Sequence, residues 1–329
     1  MTNTVLRFLC LAVFVGTIAC SGPGEENGKD PEKASATCGI YTPLQKIDYI
    51  LPAEGVPEIW LWNGDLLEAL ADDDQCGGYT EKCWLGYEDQ QLTYMQSAIE
   101  GMPYEAEYTY TNGQLENVYA TSMGNLVLAM QFGYDEAKHV TRIGLNLSPA
   151  LLGFFTSTVM DMEGIEISEP EAEIHLDWQG DNVASLVLTT EVDASVTLGQ
   201  AKELVDLEAI AGSYASLIDL LPDSTILPLH IDITDTIEYT YDSHPNPIRG
   251  LLTTPDVAVL NENNQLSAYH HGTTVLAITL QTAFGNLTLP YPIPISPTHT
   301  AYTYTYSENG LPLDVIQDGE IVKTYNYKQ

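Results

Sequence analysis

The stretch that decides the fold is the C-terminal segment Ala301–Gln329, which reads AYTYTYSENGLPLDVIQDGEIVKTYNYKQ. Tyrosine occupies every second position up to Tyr306, a Ser-Glu-Asn-Gly segment follows, and an apolar alternation then resumes. Alternation with a period of two, interrupted by Asn-Gly, is typical of a β-hairpin. We therefore predict a strand that ends at Tyr306 and a turn at Asn309. A second turn at Asp318 then precedes a last strand over Ile321–Tyr327.

The same unit occurs four times earlier in the chain: YTYTNGQLENVY begins at Tyr108, MQFGYDEAKHVTRIGL at Met130, IHLDWQGDNVASLVL at Ile174 and IEYTYDSHPNPIRGLL at Ile237. Alignment of all five units on the last aromatic residue before the turn superposes Tyr110, Tyr134, Trp178, Tyr241 and Tyr306. The irregular intervals favour an antiparallel meander with insertions over a strict solenoid. Tyrosine and threonine suit a half-buried pleated surface, so we interpret the tyrosines as structural. A stacking platform for sugars or peptides is the second interpretation.

The predicted fold is mainly β with a few helices (α+β). The antiparallel meander over residues 104–329 is expected to form a curved open sheet or half-barrel, and the N-terminal region 38–103 is expected to pack on it. Helical insertions near 149–162 and 200–221 are predicted from apolar residues at helical spacing, and these helices would pack on the covered face of the sheet. A further short helix is predicted around Asp65–Ala71.

The N-terminus has the pattern of a secretory signal peptide over residues 1–19. One positive charge, Arg7, precedes the apolar run Phe8–Ile18, which is too short to cross a membrane as a helix. The segment that ends in Cys20 resembles a bacterial lipobox, and this resemblance implies that Cys20 is acylated after cleavage. An ordinary cleaved signal with an incidental cysteine is the alternative. Residues 20–37 lack large apolar side chains and are expected to form a flexible tether.

Composition limits the partners of the chain. It contains 46 Asp and Glu against 11 Lys and Arg, for a formal net charge of −35. Affinity for nucleic acid arises mainly from basic side chains that displace counterions, so a nucleic-acid partner is excluded. Export would place Cys38, Cys76 and Cys83 in an oxidising compartment. We predict one disulfide, Cys76–Cys83, with Cys38 left over, although the other pairings stay open because spacing does not fix connectivity.

Two strand segments place histidine and aspartate on one face, HLD with His175 and Asp177, and HID with His230 and Asp232. Such pairs are able to supply two metal ligands. Apolar residues occupy the opposite face of each segment, so we interpret the pairs as the solvated side of amphipathic strands. We accordingly predict no metal site there.

The remaining motifs do not predict a metal site or a catalytic site. DDDQCGGYTEKC, counted from Asp72, resembles a calcium loop but has Cys83 at the twelfth position, where a bidentate glutamate is required. His270 and His271 lie beside a glycine and are expected to be solvated. The sequence has none of the common catalytic or phosphate-binding motifs, so we predict no catalytic residue and no cofactor.

The lipobox, the tether and the Tyr-rich hairpins together resemble envelope lipoproteins of unknown function that are common in gut Gram-negative bacteria. Single units, such as the one at Tyr241-Asp242, also resemble the Tyr-Asp repeats of secreted Rhs-type shells. The resemblance implies a β-rich protein anchored in the outer membrane through its lipid, at the cell surface or on the periplasmic face. It implies no reaction.

Two functions are compatible with these features, and neither is enzymatic. The first is a surface binding or adhesion module for an unidentified extracellular or periplasmic ligand. The second is a carrier that holds a lipid or other apolar ligand between the sheet and its helices. Its cavity would be lined by four residues of the segment ALLGFFTSTVM: Leu151, Leu152, Phe154 and Phe155.

Overall fold

The structure is a computed structural model that describes residues 45–73, 79–99, 102–148, 166–167, 171–204, 218, 220–250, 257–282 and 285–328. Eighteen strands in these ranges belong to one sheet. In chain order they are β1 Ile47–Pro52, β2 Glu58–Asn63, β3 Leu66–Asp73, β4 Tyr79–Glu88, β5 Gln91–Ile99, β6 Met102–Thr111, β7 Gln114–Ser122, β8 Asn125–Tyr134, β9 Val140–Leu147, β10 Glu166–Ile167, β11 Glu171–Gln179, β12 Asn182–Thr197, β13 Ile226–Pro245, β14 Asn263–Thr282, β15 Gly285–Ala301, β16 Thr303–Tyr306, β17 Pro312–Gln317 and β18 Glu320–Tyr327.

The sheet is a nearly closed, barrel-like ring. Consecutive strands pair antiparallel, with three exceptions: β9 pairs with β11, the two-residue β10 lies on β12, and β15 runs on into β16 without pairing with it. At the ends of the chain, β1 pairs with both β2 and β18, so the first and last strands are neighbours. Strand β15 continues through Tyr302 into β16, which pairs with β17. The Tyr302 amide donates to the Leu266 carbonyl at 2.7 Å and holds this junction against β14.

Ring closure corrects the predicted fold class. The curved open sheet or half-barrel with helices on its covered face is wrong, because the ends of the sheet pair with each other. The inner faces of the strands form one apolar cluster, with Leu115, Ile143 and Ile174 completely buried. Strands therefore cover one another across this cluster, and within the described residues no α-helix contributes to it.

The helical predictions have different outcomes. The short helix predicted around Asp65–Ala71 is wrong, since Asp65 lies in a turn and the residues after it belong to β3, where Leu67, Ala69 and Ala71 alternate toward the core. Of the predicted helix near 200–221, the structure describes a seven-residue helix α1, Leu198–Leu204, and isolated residues after it. The predicted helix near 149–162 lies outside the described residues. A 3₁₀ turn at Val257–Leu260 precedes β14.

The C-terminal prediction is confirmed. Strand β16 pairs with β17, and the final strand β18 pairs with β17 and β1. The tyrosines at 302, 304 and 306 are half-buried, whereas Thr303 and Thr305 face solvent. The N-terminal region 38–103, which we expected to pack on the sheet, contributes the strands from Ile47 to Ile99 to it.

A repeated aromatic contact joins the hairpins at one end of the ring. A tyrosine or tryptophan near the end of a strand donates its O–H or N–H to a backbone carbonyl of the preceding hairpin, at 2.7–2.9 Å. We call these side chains the aromatic rim: Trp62, Tyr87, Tyr110, Tyr134, Trp178, Tyr241, Tyr304 and Tyr327.

The geometry at Tyr110 explains the contact. Toward this end, the last backbone pair between β5 and β6 is Tyr94 with Glu107, so the two strands separate beyond it. The Tyr110 hydroxyl crosses the gap and donates to the Leu92 carbonyl at 2.7 Å. A register shift lies directly before Tyr110, and the same shift precedes Trp62, Tyr87, Tyr134, Trp178 and Tyr241. A bulge redirects a side chain, so the shift turns each ring toward its acceptor.

The opposite end of the ring is built differently. Here β12–β15 extend past their neighbours around a second apolar cluster, which includes Leu198 and Ala201 of α1. Among the described residues, strand β15 pairs only with β14, which leaves its other edge free, and it carries Pro290, Pro292 and Pro294 at alternate positions. Proline has no N–H to donate, so these residues fit only where the backbone nitrogen points away from β14. They also block addition of another strand to this edge.

Candidate binding groove

A polar groove of about 660 Å³ crosses the outer face of β7, β8, β9, β11, β12 and β13. We call it the polar groove, and its polar side chains are Asn117, Tyr119, Gln131, Arg142, Asn146, Glu173, Thr189, Glu191, Asp193 and His230. Amides, carboxylates, hydroxyls, a guanidinium and an imidazole therefore converge on one concave surface.

Strand register produces this concavity. One row across the sheet joins Gln131, Gly144 and Glu173, and the next joins Tyr119, Ala129 and Asn146. Gly144 and Ala129 form the floor because they lack long side chains, and the residues beside them form the walls. A β-carbon added at Gly144 would meet only the Gln131 carbonyl oxygen, at 4.0 Å. Packing does not require this glycine, and its effect is to leave open space above the sheet.

An ion pair between Arg142 and Glu173 lies in the groove, and His175 lies beside it. Arg142 donates to the Glu173 carboxylate at 2.5 Å, and His175 Nε2 lies 2.6 Å from the other carboxylate oxygen. The hydrogen bond from Arg142 lowers the pKa of Glu173, and the same bond raises the pKa of Arg142. The Arg142 and Glu173 side chains are therefore held in a fixed geometry, and both keep unused hydrogen-bonding capacity.

A second charged cluster lies at the β12–β13 end. Glu191 is directly opposite Asp232 in the register, and Asp193 is directly opposite His230. His230 Nδ1 lies 2.7 Å from Asp193 Oδ1, and His230 Nε2 lies 3.1 Å from Asp232 Oδ1. The hydrogen bond with Asp193 is the main cause that raises the pKa of His230.

The two His-Asp segments identified in the sequence thus have different surroundings in the structure. His175 contacts Glu173, while Asp177 accepts a hydrogen bond from Ser185 at 3.0 Å. His230 and Asp232 do lie together, as the strand period predicts. Sequence reasoning missed their partners on β12, Glu191 and Asp193, because they join the cluster only through the pairing register of β12 with β13.

His270 differs from its predicted solvated state. Its side chain is 20% exposed, and its Nε2 lies 2.6 Å from the Asp235 carboxylate, which is 4% exposed. The hydrogen bond with Asp235 raises the pKa of His270. A β-carbon at Gly272 would lie 2.9 Å from this carboxylate and 2.5 Å from the Thr234 carbonyl oxygen, so the pair requires the glycine. Together with buried Thr190 and Thr274, the pair forms a polar layer in the interior of the ring.

Tyr306, which the sequence placed among the repeated aromatics, makes a different contact from the aromatic rim. Its hydroxyl donates to the Asp242 carboxylate, and its ring stacks on His244 with centroids 3.9 Å apart. Asp242 also accepts from the backbone amides of His244 and Asn264. These contacts fix the turn after β13, so they support the structural interpretation of the tyrosines.

The remaining predicted sites lie mostly outside the described residues. These are Cys20, Cys38, Cys76 and the four residues proposed to line a cavity: Leu151, Leu152, Phe154 and Phe155. Cys83 is described, and its side chain lies in the main core at 5% exposure. Burial, with a smaller effect from Glu58, raises the pKa of its thiol to about 12. The disulfide with Cys76 stays a prediction.

Comparisons with known proteins assign no family. The chain matches no protein-family model, and none of the curated proteins matches it significantly. Within the part of the chain that the structure describes, every helix is too short or too polar to span a lipid bilayer.

Proposed function

We propose that this chain is a non-enzymatic binding module and that the polar groove binds a neutral, polyhydroxylated ligand of the glycan class. The composition of the groove is the observation that carries this proposal. Its amides, Asn117, Gln131 and Asn146, and its carboxylates supply the donors and acceptors that sugar hydroxyls require. Tyr119 is 39% exposed and offers an aromatic face for stacking.

Charge and polarity disfavour other ligand classes. A chain with a net charge of −35 repels polyanions, so a nucleic acid or an acidic glycan is a poor fit. Apolar ligands prefer pockets lined by hydrophobic and aromatic side chains, whereas this groove is lined mainly by polar ones. A neutral ligand rich in hydroxyl groups satisfies both conditions.

Gly144 permits a direct test. In Gly144→Tyr a large side chain would fill the groove at a position where packing leaves room. Thr303→Tyr is the matched control, because Thr303 is an exposed strand residue outside the groove. Affinity electrophoresis through gels that contain starch, mannan, xylan or soluble cellulose is the measurement. We expect at least one polysaccharide to retard the wild type and the control but not Gly144→Tyr. Unretarded wild type in all gels, or retarded Gly144→Tyr, would contradict the proposal.

We also propose that acylated Cys20 anchors the module in the outer membrane, with residues 21–37 as the tether. The support is the lipobox-like segment and the polar stretch after it. Firm anchoring requires more than one acyl chain, as in acylated lipoproteins. Cys20→Ser should move the protein from the membrane fraction to the soluble fraction of the cell envelope. A variant that still sediments with membranes would refute the anchor without affecting the groove.

The carrier alternative depends on a cavity beside Leu151 and Phe154, outside the described residues. The described interior is packed with apolar side chains, and Leu188 and Val183 there are almost completely buried. This packing supports a binding module over a carrier.

A further inference from the structure

Three metal-ligating side chains converge at the β12–β13 end of the polar groove. One ligand atom from each of Glu191, His230 and Asp232 lies within 4.8 Å of the other two. Among the described residues, this is the one group of three histidine, cysteine or acidic side chains that meets this distance. The strand pairing fixes Glu191 directly opposite Asp232, so backbone hydrogen bonds hold the cluster together.

We propose that Glu191, His230 and Asp232 bind a divalent transition-metal cation, with Zn²⁺ as the best-matched ion. Imidazole nitrogen is a ligand for Zn²⁺ and related first-row metals, whereas Ca²⁺ and Mg²⁺ prefer oxygen ligands alone. Two carboxylates and one imidazole are therefore a mixed donor set for Zn²⁺, in which three protein ligands leave a coordination position open.

Asp193 prepares the histidine for this role. Its carboxylate lies 2.7 Å from His230 Nδ1, so it accepts the Nδ1–H and leaves the Nε2 lone pair available. Nε2 points toward the Asp232 carboxylate at 3.1 Å. A carboxylate that holds the second nitrogen of a ligating histidine is the usual outer partner in metal sites. Asp193 is thus a positioning residue, and it does not bind the cation.

The arrangement of charge also favours a cation. Like charges directly opposite on neighbouring strands destabilise a sheet, and Glu191 faces Asp232 in this way. A divalent ion between the two carboxylates would convert this repulsion into shared coordination. Glu191, Asp193 and His230 line the groove, so the open coordination position would face any ligand bound there. The metal site itself does not depend on the proposed glycan.

Calorimetric titration of the full chain with ZnCl₂, in a buffer that does not chelate metal, tests the site. We expect one Zn²⁺ per chain, and CaCl₂ at the same concentrations should not compete. Addition of Co²⁺ should give visible absorption bands that Zn²⁺ then removes. Glycan binding is not a readout of this experiment, so its failure and the failure of the proposed function are distinguishable.

Four variants locate the ion. His230→Gln and Glu191→Gln should lose the Co²⁺ bands and the tight Zn²⁺ isotherm, and Asp193→Asn should weaken binding about 10- to 100-fold. His175→Gln is the control, because this histidine contacts the single carboxylate of Glu173 and should leave the isotherm unchanged. All four positions face outward, and equal melting temperatures would show that the fold is kept. Zn²⁺ binding that survives in His230→Gln, or competition by Ca²⁺, would overturn the proposal.

Discussion

The two ends of the ring are held by different means. At the aromatic rim, one contact recurs, in which an aromatic side chain donates a hydrogen bond to a backbone carbonyl of the preceding hairpin. This bond replaces the backbone hydrogen bonds that are lost where the strands separate. At the opposite end, the extended strands β12–β15 rest on a local cluster with Leu198 and Ala201 and have prolines along the free edge. A contact that recurs produces a repeated pattern in the sequence, whereas an arrangement that occurs only once produces no such pattern.

The largest effect is expected from opening the ring. Truncation after Asp318 removes β18 and exposes the sides of both β17 and β1. Tyr325, which is 7% exposed in the main core, is removed as well. We expect loss of the cooperative thermal transition, measured by circular dichroism. A truncated chain that melts cooperatively within a few degrees of the full chain would show that closure is dispensable.

The second prediction concerns the polar layer between the two ends. Because Asp235 raises the pKa of His270, protonated His270 stabilises the folded state below the unfolded histidine value of about 6.5. This stabilisation is lost as the pH rises through the higher folded pKa. The unfolding free energy of the wild type should therefore exceed that of His270→Gln by about 1–3 kcal/mol at pH 5.5, and by less at pH 8.5. Urea denaturation measures both, and an equal difference at the two pH values would contradict the role of the charge.

A smaller effect is expected at the aromatic rim. Tyr110→Phe keeps the ring but removes the hydroxyl that bonds to the Leu92 carbonyl. The free energy of unfolding should fall by about 1 kcal/mol. Tyr119→Phe, at an exposed tyrosine of the neighbouring strand, should change it by less than about 0.5 kcal/mol. Equal values for the two variants would show that the rim contact is not what distinguishes this end.

The smallest effect on folding is expected at the free edge of β15. Pro292→Val adds a backbone N–H that points away from β14, so the unfolding free energy should change by less than about 0.5 kcal/mol. The edge becomes able to pair with another chain, and self-association measured by light scattering should rise with concentration. A variant as monodisperse as the wild type would show that the prolines do not protect the edge.

These results also show which parts of the structure a single sequence reveals. The hairpin units and their last aromatics were predictable because turn residues and period-two alternation are local signals. Closure of the ring was not predictable, because the pairing of Ile47 with Tyr327 joins residues that are far apart in the sequence. The segment Leu66–Asp72, LLEALAD, also fits helical spacing, but it forms a strand because it pairs with β2 and β4.

The residues of the candidate site also differ in whether the sequence alone predicts that they lie together. His230 and Asp232 share a strand, and their common face followed from the strand period. Glu191 belongs to a neighbouring strand, and only the register places it opposite Asp232. The floor of the groove is equally hidden, because Gly144 and Ala129 carry no functional group that a motif search would recognise.

The pairing of β1 with β18 makes the order of the strands cyclic. Lys328 N–H donates to the Lys46 carbonyl at 2.8 Å, so the two positions are adjacent at the aromatic rim. A short linker between them, with a new start and end at the exposed turn of Met123 and Gly124, would give a circular permutant that keeps every strand pair of the ring. With the anchor that we propose at Cys20, such a permutant would move the attachment point of the proposed tether to the opposite end of the ring and so invert the orientation of the protein relative to the membrane.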